Sequence, residues 1–392
     1  MARKLSTLFF SMAQRMVRDQ QRALKRASKA AVAMSARAMK RGALAGNAPT
    51  AGDARRRPAA TPPVPGEGKW EGHIHKGSTA VGQWHGRLAY HLYLPAAVGS
   101  PADAAGMPLV VMLHGCQQTV ADFARGTRMN RLADKEGFVI AWPQQSANAQ
   151  SQRCWRWFRP QHGYGGSEAD AIASLARALV EKLQLDVNRV YVAGLSAGAG
   201  MAALTALRHA DVFAAVGLHS GAVMGDAYHV AAGMAAMRRG SRRDILDQAR
   251  QLLGTSATFS GMPAIIVHGG RDRTVDIRNA RQLVEQFRDL NGIDPAQAPS
   301  TATLGAGTIQ AWQREDLLVA GQPVVRLAYV PTLGHAWSGG DPTIRFHDAT
   351  GPGAGLLFWR FFQGHWRQTA VDAPTLAQGK PGPRRVQRSW PE

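Results

Sequence analysis

Ser196 lies in Gly194-Leu195-Ser196-Ala197-Gly198, a GxSxG spacing that can do nucleophilic chemistry. A serine hydroxyl is a weak nucleophile at neutral pH and needs a base that is itself oriented by a carboxylate. The chain has 42 glycines, so the flanks must separate a reactive turn from a merely glycine-rich one. Arg189-Val190-Tyr191-Val192-Ala193 before the motif reads as a buried strand, and Ala199 to Leu207 after it as a helix of small residues. Strand, GxSxG and helix are the setting of a nucleophile elbow. The glycines then leave room for a sharp turn with a strained Ser196 at its tip. The helix aims its N-terminus at the reacting atoms.

The partners of such a serine follow it in the order acid, then base. Asp272, in His268-Gly269-Gly270-Arg271-Asp272-Arg273-Thr274-Val275, comes just after an apolar run and is the expected acid. Its rival, Asp276, reads better as the acid that opens the next helix. His335, in Thr332-Leu333-Gly334-His335-Ala336-Trp337-Ser338, follows the last strand and is the expected base. His347 and His365 lie on the way into or beyond the last helix. A tetrahedral oxyanion needs two backbone N–H groups. Ala197 would supply one, and the loop His114-Gly115-Cys116-Gln117 the other, from Cys116 or, as second choice, Gln117. His114 and His268 read as ring donors that hold loops.

Cys116 and Cys154 are the only two cysteines. Both fall in segments expected near the site, so they are a candidate disulfide, although a reducing cytosol would keep them as thiols. Their spacing matches no zinc-finger or ribbon pattern, so no metal is expected. Gln117, Trp155, Trp157 and Trp337 are candidates for a substrate pocket. The aromatic cluster of Trp155, Trp157 and Phe158 reads equally well as core.

These residues must be carried by strand ends. Apolar runs at Pro108–Leu113, Phe138–Pro143, Arg189–Ala193, Ala214–Gly221, Pro263–Gly269 and Val324–Val330 predict strands. Leu88–Pro95 alternates like an edge strand and stops at its proline. Helices are predicted over Thr127–Lys135, Glu168–Leu183, Ile277–Leu290 and Gly355–Phe362, with a largely helical segment over 222–260 of a size to form a small cap, and loops or edge hairpins over 294–322. Strands alternating with helices give a mostly parallel sheet covered on both faces. Ligands bind such a sheet at the carboxyl ends of its strands, where every motif above sits.

The formal charge of +20 is unevenly placed: residues 1–60 hold 14 Lys and Arg against Asp19 and Asp53. Residues 1–45 read as a basic amphipathic or loosely helical extension, whose partner would be an anionic surface such as a granule, lipid or nucleic acid. Residues 46–68 read as a Pro/Ala-rich linker, 69–369 as the globular domain and 370–392 as a disordered tail. No window approaches the roughly 18 consecutive apolar residues of a membrane span. Leu5 to Met12 after Arg3-Lys4 is a short leader-like run, diluted by Ser6, Thr7 and Ser11.

LHGCQQT at 113–119, WPQQ at 142–145, CWRWF at 154–158, GLSAGAGM at 194–201, HGGRDRTV at 268–275 and GHAWSGG at 334–340 together resemble the polyhydroxybutyrate depolymerase family of esterases. The resemblance covers about residues 80–363. It implies an α/β-hydrolase fold related to feruloyl and acetylxylan esterases. It also implies a Ser196–Asp272–His335 triad, an oxyanion donor at Cys116, and ester hydrolysis through an acyl-enzyme without metal or cofactor. The substrate expected is poly- or oligo-3-hydroxybutyrate or a related short-chain ester, with feruloyl or acetylxylan esters as the alternative. A reading from another class is a granule- or nucleic-acid-binding protein that uses its basic arm, with an inactive hydrolase scaffold. The resemblance and the paired cysteines favour an extracellular protein, and the weak leader favours a cytoplasmic one.

Overall fold

Strands with no polar face cannot lie at the surface, so they must sit inside a sheet that helices cover on both sides. A computed structural model describes residues 64–77, 86–158, 165–225, 230–253 and 259–367. Ten strands form one sheet: β1 (Lys69–Lys76), β2 (Arg87–Leu94), β3 (Leu109–Leu113), β4 (Val139–Gln144), β5 (Val190–Leu195), β6 (Ala215–His219), β7 (Ala264–Gly269), β8 (Ser300–Leu304), β9 (Trp312–Val319) and β10 (Gln322–Val330). Their order is β1-β2-β4-β3-β5-β6-β7-β10-β9-β8. The run from β4 to β10 is parallel, and antiparallel pairs finish both ends. The expected α/β architecture is thus the one observed.

The helices among the described residues are α1 (Val120–Thr127), α2 (Met129–Glu136), α3 (Gly165–Leu183), α4 (Ala197–Arg208), α5 (Val230–Arg239), α6 (Ile245–Arg250), α7 (Arg278–Leu290) and α8 (Ala354–Gln363). Alternation along each strand divides its side chains between two cores. Val111 and Val192 join Leu175, Met201 and Leu283 of α3, α4 and α7. Val110, Met112 and Tyr191 join Phe123, Met129 and Phe358 of α1, α2 and α8 on the other face.

Several boundaries differ from the sequence expectation, each for a local reason. The helix expected over Thr127–Lys135 is α2, which starts at Met129 because Arg128 adopts a left-handed conformation (φ 58°), and α1, which was not expected, precedes it. α1 is capped by the Thr119 hydroxyl, which accepts the Asp122 N–H at 3.1 Å. Leu88–Pro95 is not an edge: β2 pairs with both β1 and β4, and β1 is the outer strand. Of the two readings of 294–322 the edge hairpin is the one observed: β8 pairs with β9, and β9 pairs with β10 in a register broken by a bulge at Pro323/Val325.

The last residues of the expected linker are tied to the domain. Glu67 N–H donates to Asp134 at 2.9 Å, and Gly68 N–H to the Tyr93 hydroxyl at 2.8 Å. The basic extension, the rest of the linker up to residue 63 and the tail expected over 370–392 lie outside the described residues.

Candidate active site

β5 runs into Ser196, the residue that precedes α4, which takes φ 57° and ψ −117°. A non-glycine residue there is strained and persists only where its surroundings hold it. Ser196 N–H donates to the His219 carbonyl at 2.8 Å, and its own carbonyl accepts the Gly200 N–H at 3.1 Å. Close approach explains the flanking glycines. A Cβ on Gly194 would lie 2.4 Å from the Gly198 carbonyl, and one on Gly198 would lie 2.1 Å from the Leu113 oxygen. The elbow is therefore turned so tightly on itself at Gly194, and packed so closely on β3 at Gly198, that neither position can carry a side chain.

Three side chains from three strand ends meet here. His335 Nε2 lies 2.9 Å from Ser196 Oγ, and His335 Nδ1 lies 2.6 Å from Asp272 Oδ2. The other carboxylate oxygen of Asp272 accepts the N–H groups of Thr274 and Val275, both at 2.8 Å. Burial pushes the Asp272 carboxyl up, but the hydrogen bond and charge of His335, with His268 and the Val275 amide, outweigh it and leave it below the usual carboxylate value. An ionised Asp272 fixes His335 with Nδ1 protonated, which turns the basic Nε2 lone pair towards the serine hydroxyl. The acid turn is locked to the base loop by main-chain bonds, Gly270 N–H to Val330 at 2.8 Å and Arg271 N–H to Leu333 at 2.9 Å.

The loop after β3 approaches the elbow from the neighbouring strand. Among the described residues, neither Cys116 N–H nor Ala197 N–H donates to a main-chain carbonyl. Gln117 N–H, the second choice as oxyanion donor, instead donates to the Gln152 carbonyl at 2.7 Å. Cys116 and Cys154 form a disulfide that ties this loop to the segment before Trp155. His114 holds the loop as a ring donor, its Nδ1–H reaching the Gly115 carbonyl at 2.8 Å while Nε2 accepts the Gln145 N–H at 3.1 Å. Burial lowers its pKa to about 4, so the ring is neutral.

Three residues with no role assigned from sequence complete the support. Gln118 Oε1 accepts the Gly115 N–H at 2.7 Å. The buried Glu168 carboxylate, whose pKa burial raises, accepts Gln145 Nε2–H at 2.7 Å and the Arg156 N–H at 2.8 Å. Only the glutamines inside LHGCQQT and WPQQ hinted at this, since polar contacts across the fold leave no periodic signal.

The rivals point elsewhere. Asp276 accepts the N–H and Nε–H of Arg278 at the start of α7. His347 is buried against Phe123, and His365 lies tilted against Phe361. His268 donates to or accepts nothing from Ser196: its Nε2 reaches the Val275 carbonyl at 2.9 Å. The pocket candidates divide. Trp337 is 1% exposed and lies between His219, Phe123 and Phe358, so it is core rather than a lining residue. Trp155 bonds the His114 carbonyl and borders a cavity of about 710 Å³ whose lining does not include Ser196. Trp157 packs on Gly200 of α4, and Gln117 is half-buried with a left-handed φ of 64°. Among the described residues, no group of three or more His, Cys, Asp or Glu side chains is placed to hold a metal.

Residues 88–310 match the family model described as "Esterase PHB depolymerase". The chain belongs to this family of carboxylic ester hydrolases. This esterase-family chain is 31% identical over 254 residues to poly(3-hydroxyalkanoate) depolymerase C of Paucimonas lemoignei, covering 64% of the chain and 58% of that protein. It is 29% identical over 282 residues to poly(3-hydroxybutyrate) depolymerase of Ralstonia pickettii, covering 68% of the chain and 55% of that protein. The alignments thus span little more than half the length of either depolymerase. Feruloyl esterase B of Neurospora crassa is 27% identical over 222 residues, covering 51% of the chain and 73% of that protein. The solved acetyl xylan esterase from Aspergillus awamori superposes with a TM-score of 0.58 at 19% identity, over 76% of this chain and all of that one, which identifies the α/β-hydrolase fold.

Proposed function

We propose that the chain is a serine esterase acting through Ser196, His335 and Asp272. The observation that carries the reading is the unbroken line from Ser196 Oγ through both nitrogens of His335 to Asp272, at 2.9 and 2.6 Å. His335 Nε2 takes the hydroxyl proton as Oγ attacks the ester carbonyl carbon. The carbonyl oxygen receives the displaced electron pair and is bound by Cys116 and Ala197 N–H, each such donor being worth about 10²–10³-fold in rate. Collapse expels the alcohol, which takes the proton from His335 and leaves an ester on Ser196. Water, deprotonated by the same nitrogen, then releases the acid and restores the serine. Asp272 stays ionised and stabilises the imidazolium formed at each proton transfer.

The catalytic domain in this reading is the stretch expected over 69–369, with 64–68 pinned to it. The substrates we assign are poly- or oligo-3-hydroxybutyrate and related short-chain esters, by similarity to the two depolymerases. The likeness to feruloyl esterase B supports feruloyl or acetyl esters as the second reading. Initial rates on 3-hydroxybutyrate oligomers, methyl ferulate and acetylated xylan, measured with wild type and Ser196→Ala, test both. Faster Ser196-dependent turnover of the oligomers supports the first reading. Faster turnover of ferulate or acetylxylan overturns it in favour of the second.

A further inference from the structure

His219 is the last residue of β6, and it is bonded both to the nucleophile elbow and to the base loop. Its carbonyl accepts the N–H of Ser196 at 2.8 Å and so holds the strained elbow. Its ring, fully buried, accepts the Ser338 N–H on Nε2 at 3.0 Å. Ser338 is three residues after His335 on the same loop. A backbone N–H can only donate, so Nε2 must be unprotonated and the proton must sit on Nδ1, 3.2 Å from the Ser220 hydroxyl oxygen. The Trp337 indole stacks on the ring at 5.1 Å and closes it from the side. Burial first, then the neighbouring His268 and His335, hold the His219 pKa well below 6.5, which keeps the acceptor available.

We propose that His219 is a positioning residue that sets the distance between Ser196 and His335, by clamping the nucleophile elbow through its carbonyl and the base loop through its imidazole. The inference rests on the triad reading above. The geometry favours it because the acid turn holds the loop before His335, at Leu333, and the other bonds made beyond His335 lead away from the nucleophile: Ser338 Oγ donates to the Pro352 carbonyl at 2.6 Å, and Trp337 N–H to the Phe346 carbonyl at 2.8 Å. Those bonds tie the loop to residues 346–352. Among the described residues, the His219 ring is what ties the stretch beyond His335 back to β6, the strand beside the nucleophile.

The test separates the acceptor from the aromatic ring. His219→Phe keeps a ring against Trp337 and removes the acceptor, leaving a buried N–H unpaired. His219→Gln replaces the ring but returns an acceptor, Oε1, near the position of Nε2. With p-nitrophenyl butyrate, His219→Phe should lower kcat about 10- to 100-fold with KM within about twofold, as a small misplacement of a reacting group does. The rate at which a fluorophosphonate labels Ser196 should fall in parallel, and His219→Gln should recover both to within about fivefold of wild type. If His219→Phe does not fold, His219→Asn, whose carbonyl is too short to reach Ser338, should show the same loss. Wild-type kcat and labelling in either acceptor-free variant overturn the inference, as does a His219→Gln no better than His219→Phe. Ser196→Ala is run beside them: wild-type turnover there would remove the triad reading itself, whatever the His219 variants do.

Discussion

Asp272 Oδ2 stands 2.6 Å from His335 Nδ1, while its second oxygen is taken by the amides of Thr274 and Val275. The carboxylate cannot rotate without giving up two hydrogen bonds, so it dictates which histidine nitrogen carries the proton. Asp272→Asn would keep the shape and present an N–H to His335, forcing the proton onto Nε2 and removing the base from the serine. We expect kcat on p-nitrophenyl butyrate to fall about 10⁴-fold with the melting temperature little changed. A loss under tenfold would mean that Asp272 does not orient the base.

Gly198 faces a backbone atom rather than a side chain that could move. A methyl group there would meet the Leu113 oxygen at 2.1 Å, and separating them means pulling the elbow off β3. Gly198→Ala should cost about 3 kcal/mol or more in urea unfolding, at the upper end of overpacking substitutions. Gly353→Ala, where a Cβ would have nothing within 4 Å, is the control and should stay within about 0.5 kcal/mol. Equal stability of the two variants would contradict this packing argument.

The disulfide closes a loop between residues 38 apart and holds the Cys116 amide near the elbow. Chain-entropy arguments give about 4 kcal/mol for a loop of that length. Cys154→Ser, or reduction of the wild type, should lower the melting temperature and reduce kcat more than KM rises. Unfolding followed with and without dithiothreitol checks it, and coincident curves would contradict it.

Burial lowers His114 and His347 from 6.5 to about 4. Between those values the unfolded chain binds more protons than the folded one, so unfolding free energy increases with pH. The contribution is complete above about pH 6.5 and is lost as pH falls towards 4, by about 3 kcal/mol per histidine. Urea midpoints should therefore drop steadily from pH 7 to pH 4.5. A midpoint constant over that interval would show that these rings are not buried neutral.

What was legible in the sequence followed from apolar runs. Ser196, Asp272 and His335 each come directly after one, so their meeting at one end of a parallel sheet could be read from position alone. β1 was not legible, because Lys69, Glu71, Ile74 and Lys76 are exposed on an outer strand that lacks a clean apolar face. β9 was legible only as an alternative to a loop, because Arg314, Glu315 and Asp316 resemble one until Arg281 and Arg326 are seen to pair with its acids. Trp337 misled for the opposite reason. It sits two residues from His335, but its ring turns down into the core, and neighbours in sequence do not fix side-chain direction. His219 looked like the end of another strand, since nothing local announces a bond to Ser338, 119 residues later.

The central claim is that Ser196 carries the acyl group, and it is tested most directly by trapping that species. Wild type and Ser196→Ala would be mixed with p-nitrophenyl butyrate, quenched in acid within the first turnover, digested and weighed by mass spectrometry. The account predicts a butyryl adduct on the peptide containing Ser196 in the wild type, and neither adduct nor turnover in the variant. A Ser196→Ala protein that hydrolyses the ester at the wild-type rate would contradict it.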